Sequence, residues 1–175
     1  MTANTNNIRL ATEGDFRYLP AVEDAAGEVF RDIGYDDIAD MPATPPEEYK
    51  NLQKKGGLIW VADNPVSRIV AFCATSPLPH GLYIKELSVH NLHMKQGLGS
   101  LLLKPALTAG RSNGDKSAFL LTFEKVPFNA PFYARFGFEI IEDLSPYPAL
   151  KGLADNERET PLWKYGRVAM KLDLN

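Results

Sequence analysis

The sequence predicts an α/β fold, an α+β mixed sheet of about seven strands that carries helices on its faces. Three observations support this prediction. Apolar and polar residues alternate over residues 8–12 and 167–174, which is the period of a strand with one buried face. Leucines recur at helical spacing over 98–107. Residues 117–123 form a nearly continuous apolar run, typical of a strand that is buried on both faces.

A long helical region is predicted to follow strand 8–12. Thr12 and Asp15 form a capping-box signature at its start, and Gly34 is expected to end it. Pro20 lies inside this span and lacks a backbone N–H, so the first turns are predicted to be kinked or to form a separate piece.

A shorter helix is predicted from a second capping signature at Thr44 to about Lys54, because the following prolines suit the first helical positions. Two strands, 58–62 and 69–75, then form a hairpin, and the central strand is expected at 84–89.

The second half of the chain alternates helices and strands. The helix that begins at Gly97 and Gly99 should reach about Gly110, although Pro105 is expected to bend it or end it early. The remaining predicted elements are a strand at 117–123, a short helix at 129–136, a strand at 138–141, a long loop with one helical turn at 142–162, and a closing strand at 167–174.

Composition restricts the class of protein. With 175 residues, 45% of them apolar, we expect one domain over residues 7–174, preceded by a disordered segment at residues 1–6. A formal net charge of −3 argues against a nucleic-acid partner. Cys73 is the single cysteine and there are three histidines, so neither an internal disulfide nor a metal site is expected. No apolar run suggests a membrane segment or a leader, which predicts a cytoplasmic protein.

The junction of the central strand and the next helix is the strongest candidate site. The first N–H groups of a helix lack intrahelical partners and attract anions, and glycine lets a ligand approach closely. Gly97 and Gly99 therefore indicate a pyrophosphate site. A dinucleotide fingerprint would need a third glycine at position 102, where the chain has leucine.

Two motifs resemble those of the GNAT superfamily of N-acetyltransferases, which use acetyl-CoA. The first is Leu87-Ser88-Val89-His90 followed by MKQGLGS at 94–100, similar to that family's pyrophosphate loop. The second is NAPFYARFGF at 129–138, and with the preceding Val126-Pro127 it is similar to the VPxNAPFYxxxGF-type segment of one bacterial subgroup. The resemblance covers roughly residues 7–174.

The resemblance implies the GNAT fold, with strands 84–89 and 117–123 splayed apart around a bulge, and acetyl-CoA as co-substrate without a metal. The backbone of the central strand would bind the pantetheine arm, and the Val89 N–H would stabilise the oxyanion. The implied coenzyme-binding residues are Leu87, Ser88, Val89, Met94, Lys95, Gln96, Gly97, Leu98, Gly99, Ser100, Asn129, Tyr133 and Arg135.

Three side chains of this set have alternative roles. Tyr133 is implied as the general acid that protonates the departing thiolate, rather than a core aromatic. Asn129 would contact the pantetheine arm, cap the helix, or both. Arg135 is either a surface charge or a ligand of the coenzyme 3′-phosphate. Met94 departs from the family, which usually has Arg or Gln there, so backbone N–H groups and Lys95 would have to bind the pyrophosphate.

The general base is open at this point. Glu86 is the candidate base, with Glu124 or a water relay as alternatives. Tyr83 occupies the position where several GNAT enzymes have their base, but a neutral tyrosine is a poor base. Cys73 lies in an apolar run and is not expected to be a nucleophile.

We therefore predict an N-acetyltransferase that acetylates a primary amine by direct attack in a ternary complex. The alternative is a non-catalytic CoA-binding sensor or partner-binding module of the same fold, and a longer acyl donor is also open. The acceptor is a small-molecule or peptide amine, and the protein a monomer or homodimer. Acidic residues in two loops would attract a cationic amine or serve only as surface charge: Asp32, Asp36, Asp37, Asp40, Asp155, Glu157 and Glu159.

Overall fold

A computed structural model describes residues 6–79 and 81–174, and it contains one mixed sheet with helices on its faces. The strands follow the order β1-β2-β3-β4-β5-β7-β6. Their bounds are β1 Asn7–Leu10, β2 Ile59–Asn64, β3 Arg68–Leu78, β4 Gly81–Val89, β5 Ser117–Phe123, β6 Glu139–Ile141 and β7 Arg167–Asp173. The helices are α1 Leu19–Gly27, α2 Asp36–Ala39, α3 Pro46–Lys54, α4 Leu98–Asn113, α5 Ala130–Ala134 and α6 Pro148–Glu157. The predicted fold class is confirmed.

The chain divides into two compact units. Of the described residues, 6–76 and 85–108 form the first unit, and 77–79, 81–84 and 109–174 form the second. Of the N-terminal segment predicted to be disordered, residues 1–5 lie outside the described residues. The side-chain oxygen of Asn6 accepts a hydrogen bond from Asn64 at 2.9 Å.

The core of the first unit packs α1 and α3 against the antiparallel strands β1–β3. Leu19 and Val22 of α1 are buried, and the ring of Tyr49 in α3 meets the ring of Phe72 edge-on at 5.5 Å. Aromatic pairs in this arrangement add to the stability that burial provides.

The start of the first helical region agrees with its sequence signals. The Thr12 N–H donates to the carboxylate of Asp15 at 2.7 Å, as the capping box predicts. A 3₁₀ turn at Glu13–Tyr18 precedes α1, which begins at Leu19, so Pro20 lies in the first turn where its missing N–H costs nothing. A second 3₁₀ segment ends at Gly34, which has a φ of +78°.

The second unit is built on β5 and β7, which pair antiparallel over the full length of β5. β6 pairs with the outer edge of β7. β4 pairs parallel with β5 only over Gly81–Tyr83 and Ser117–Phe119, and the described register ends there. A Cβ at Gly81 would lie 2.5 Å from the Ser117 carbonyl oxygen, so this close approach of the two strands requires glycine.

Three local predictions were wrong. Residues 148–157 form helix α6 instead of a loop with one turn, since Pro148 occupies the first helical turn rather than interrupting a helix. α4 does not end early at Pro105 but continues to Asn113 with this proline inside it. Thr44 does not cap α3, whose N-cap is Pro45, because the Thr44 hydroxyl donates to Glu23 at 3.1 Å.

Candidate functional site

The predicted site residues fall into two groups, one in each unit. The first group begins with Leu87, Ser88 and Val89 at the end of β4. Ser88 is buried, and its hydroxyl donates to Glu86 Oε1 at 2.7 Å. This bond uses the proton of the hydroxyl, so the hydroxyl oxygen and the backbone of Ser88 are the groups left for coenzyme binding. Leu87 and Val89 are half-buried.

The loop after β4 has a tightly turned backbone. A 3₁₀ turn covers Asn91–His93, and the His90 ring nitrogen Nδ1 accepts from the Leu92 N–H at 3.2 Å. Lys95 and Gly97 have φ values of +60° and +78°. A lysine in the left-handed backbone conformation is uncommon. Where left-handed residues stand beside right-handed ones in a loop, neighbouring N–H groups point to the same side, as in many anion sites.

The start of α4 presents unpaired backbone donors. The first backbone hydrogen bond of the helix runs from the Leu101 N–H to the Gly97 carbonyl at 3.0 Å. The N–H groups of residues 98–100 therefore have no acceptor within the helix. A Cβ at Gly97 would meet no atom within 4 Å, so the space beside this residue is open. The residues present fit a pyrophosphate.

The side chains that precede α4 differ from the family pattern. Met94 is half-buried, and its thioether cannot donate a hydrogen bond. Lys95 and Gln96 are exposed, and no ion pair of Lys95 occurs among the described residues. The backbone amides and the Lys95 ammonium are thus the groups at this helix start that suit an anion.

The second group surrounds α5. Asn129 stands at its N-cap position, but its side chain makes no capping bond. Its Oδ1 atom is buried and accepts no hydrogen bond within the described part of the chain. Leaving a buried acceptor unpaired costs about 1–3 kcal/mol. Of the two roles predicted for this side chain, capping of the helix is therefore wrong. The unpaired oxygen fits the other role, in which it accepts from an amide N–H of a pantetheine arm.

Tyr133 and Arg135 lie on the same short helix. Tyr133 is 8% exposed, and its ring contacts those of Phe132 and Phe138 edge-on at 5.1 and 5.7 Å. Arg135 is exposed, and its guanidinium carbon lies 5.3 Å from the centre of the Phe132 ring. The aromatic contacts fix the ring of Tyr133, which is what a positioned acid requires.

Glu86 lies in a polar cluster of the first unit that sequence reasoning missed. The Tyr49 hydroxyl donates to Glu23 Oε2 at 2.7 Å, and the Thr44 N–H donates to the same oxygen at 3.1 Å. Burial raises the pKa of Tyr49, and the charges of Glu23 and Glu86 raise it further. Tyr49 is thus a neutral donor between two carboxylates. In the sequence it is only one apolar position of α3, so no local signal could have found it.

Most acidic residues of the two loops predicted to attract an amine are already paired. The pairs are Asp36 and Asp40 with Arg31, Asp155 with Lys151 and Arg158, and Glu157 with Arg167. These ion pairs favour the alternative of surface charge. Glu23 differs, because it accepts from the amide and hydroxyl of Thr44 and from the hydroxyl of Tyr49, and no ion pair of Glu23 occurs among the described residues.

Cys73 and Glu124 differ in their surroundings. Cys73 is fully buried, and burial, with a smaller contribution from Glu86, raises the pKa of its thiol to about 12. A thiol in this state is a poor nucleophile. Glu124 is exposed.

Within residues 6–79 and 81–174, no group of three or more His, Cys, Asp or Glu side chains is arranged to hold a metal ion. None of the described helices is both long and apolar enough to span a membrane.

Comparison with known proteins identifies the domain. Residues 55–140 match the family model of the acetyltransferase (GNAT) domain. A GNAT-family acetyltransferase from Staphylococcus aureus Mu50 is 16% identical, with a TM-score of 0.69 over 98% of this chain and 100% of that one. The ribosomal-protein-S18-alanine N-acetyltransferase of Escherichia coli is 14% identical, with a TM-score of 0.69 over 98% and 95%.

A third similar structure is a Mycobacterium tuberculosis protein in complex with CoA. It is 20% identical, with a TM-score of 0.69 over 97% of this chain and 99% of that one. At these identities the likeness shows the fold. The domain match and the shared fold together support a GNAT acetyltransferase domain in this chain.

Proposed function

We propose that the protein transfers the acetyl group of acetyl-CoA to a primary amine by direct attack in a ternary complex. The observation that carries the proposal is the start of α4, where N–H groups without an acceptor in the helix follow Gly97 and the space beside Gly97 is open, within the segment that matches the GNAT domain. The buried, unpaired Oδ1 of Asn129 supports it, because it suits an amide donor of the pantetheine arm.

Each residue has a role in the proposed reaction. Glu86 takes a proton from the ammonium form of the acceptor, directly or through water, which leaves the nitrogen lone pair free to attack the thioester carbonyl carbon. The Val89 N–H stabilises the developing oxyanion. As the carbon–sulfur bond breaks, Tyr133 donates its phenolic proton to the departing thiolate. The high pKa of the Cys73 thiol supports direct transfer over an acyl-cysteine intermediate.

A substitution at Gly97 tests coenzyme binding. Gly97→Val would place a branched side chain in front of the helix amides and strain a φ of +78°, so calorimetry should show a loss of acetyl-CoA affinity of at least about 100-fold. The matched control is Gly114→Val, with a φ of +83° and equally open space, and it should leave affinity unchanged. Equal loss in both variants, or affinity retained by Gly97→Val, would remove the loop assignment.

A substitution at Tyr133 tests the chemical step. Tyr133→Phe keeps the packed ring and removes the proton, so kcat should fall about 100-fold while acetyl-CoA affinity stays within about twofold. Phe132→Leu on the same helix is the control for packing. An unchanged kcat in Tyr133→Phe would exclude this residue as the acid.

A CoA-binding module without transferase activity is the second candidate, and Met94 favours it. Its thioether stands where the family usually has a donor side chain. A screen of amines and peptides for release of free thiol separates the two functions. Tight acetyl-CoA binding with no thiol release from any acceptor supports the module, whereas turnover supports the transferase and names the acceptor.

A further inference from the structure

The second unit contains a cavity of about 470 Å³, which lies within the size range of small-molecule sites. Its apolar lining includes Leu78, Phe119 and Leu150, and the Tyr147 ring lies 5.1 Å from that of Phe119. Pro146 and Pro148 flank Tyr147 and restrict its backbone. None of the residues assigned to acetyl transfer lines this cavity.

Two lysines contribute the charge of the cavity. Lys171 Nζ lies 2.7 Å from Asp173 Oδ1, and this bond and the Tyr147 hydroxyl both raise the pKa of Lys171. An ammonium has three donors, so donors besides the one held by Asp173 remain for a ligand. Lys116 is exposed and makes no ion pair with any described residue. With Asp173 balancing Lys171, one positive charge is uncompensated.

We propose that this cavity binds a small monocarboxylate with an apolar body. The aromatic and aliphatic lining takes the body out of water, and the carboxylate stays at the lysines. A single uncompensated charge matches a monoanion. A phosphate dianion suits the site less well, because its second charge would lie near Asp173, whose Oδ1 is already held by Lys171 and the Ser117 hydroxyl. The proposal does not depend on acetyl transfer.

Calorimetry with octanoate tests the proposal, with octanamide as an uncharged molecule of the same shape and octyl phosphate as a dianion. Octanoate should bind saturably and about tenfold more tightly than either comparison molecule. Perturbation of labelled Leu78 and Leu150 methyl groups in NMR spectra should locate it in the cavity. No saturable binding, equal binding of octanamide, or perturbation elsewhere would overturn the proposal.

Three variants separate charge from shape. Lys116→Met keeps the aliphatic stem and should bring octanoate affinity close to that of octanamide. Ala149→Phe, at a half-buried lining position of α6, should block both molecules. Lys151→Met removes an exposed charge on the same helix outside the cavity and should change neither affinity. Thermal melting confirms that each variant is folded, and unchanged octanoate binding in Lys116→Met and Ala149→Phe would place the ligand elsewhere.

Discussion

Asp15 and Glu86 are two carboxylates of the same unit with different environments. Asp15 accepts two hydrogen bonds from the Arg9 guanidinium, at 2.7 and 3.0 Å, and a third from the backbone of Thr12. Glu86 accepts a hydrogen bond from the Ser88 hydroxyl, and its charge acts on Tyr49 and Cys73. The comparison separates two environments of a carboxylate. Hydrogen bonds from a guanidinium tie Asp15 to the fold, whereas Glu86 accepts from a hydroxyl and raises the pKa of two neighbouring acids, which is the environment of the base that we propose.

The largest effect is expected for Glu86→Gln. The amide keeps the size of the side chain and can still accept from Ser88, but it cannot take a proton, so kcat should fall about 100-fold at neutral pH. The melting temperature should stay within about 2 °C of wild type, which circular dichroism checks. Asp15→Asn is the matched control and should retain kcat. Loss of activity in Glu124→Gln instead of Glu86→Gln would transfer the role to Glu124.

Asp15→Asn should lower stability instead of activity. The Asp15 side chain is 11% exposed, and its hydrogen bonds to Arg9 hold the pKa of Asp15 at about 2 against an ordinary value of 3.8. Since one pKa unit corresponds to about 1.4 kcal/mol, the free energy of unfolding should fall by about 2 kcal/mol in urea titrations at pH 7. A change below about 0.5 kcal/mol would show that Arg9 does not stabilise the fold through Asp15.

The same pair predicts a pH dependence. Because the pKa of Asp15 is lower in the folded chain than in the unfolded chain, its contribution is fully present above about pH 4 and is lost as the pH falls towards about 2. The stability difference between wild type and Asp15→Asn should therefore shrink over this interval. If the stability difference between the two proteins stays constant down to pH 2, it arises from packing and not from the charge of Asp15.

The smallest effect is expected for Ser88→Ala. This substitution removes the hydrogen bond that the Ser88 hydroxyl donates to the Glu86 carboxylate, so Glu86 is less well oriented. The value of kcat should therefore fall about tenfold, with acetyl-CoA affinity unchanged. Ser88→Thr keeps the hydroxyl and should restore most of the loss. If both variants lose the same activity, the position matters for packing and not for its hydrogen bond.

Local signals predicted much of the fold. The capping box at Thr12 and Asp15, the end at Gly34 and the bounds of β5 depend on neighbours along the chain, and the structure has them where the sequence indicated. α6 was missed because three prolines between 142 and 162 suggested a loop, while Pro148 falls in a first helical turn. The motif at Gly97 and Gly99 was found for the same reason, since a helix start is a local feature.

The sequence by itself determined most of the element types and the GNAT resemblance, and it supplied the candidate site residues. Only the tertiary structure decided what each side chain contacts: Thr44 bonds Glu23 instead of capping α3, the oxygen of Asn129 stays unpaired, and Glu157 is bound by Arg167. It also placed β7 between β5 and β6, and it brought Lys171 of β7 and Tyr147 together at the wall of one cavity. These contacts join residues far apart in the chain, and because the order of strands in a sheet is not their order in sequence, no local pattern records them.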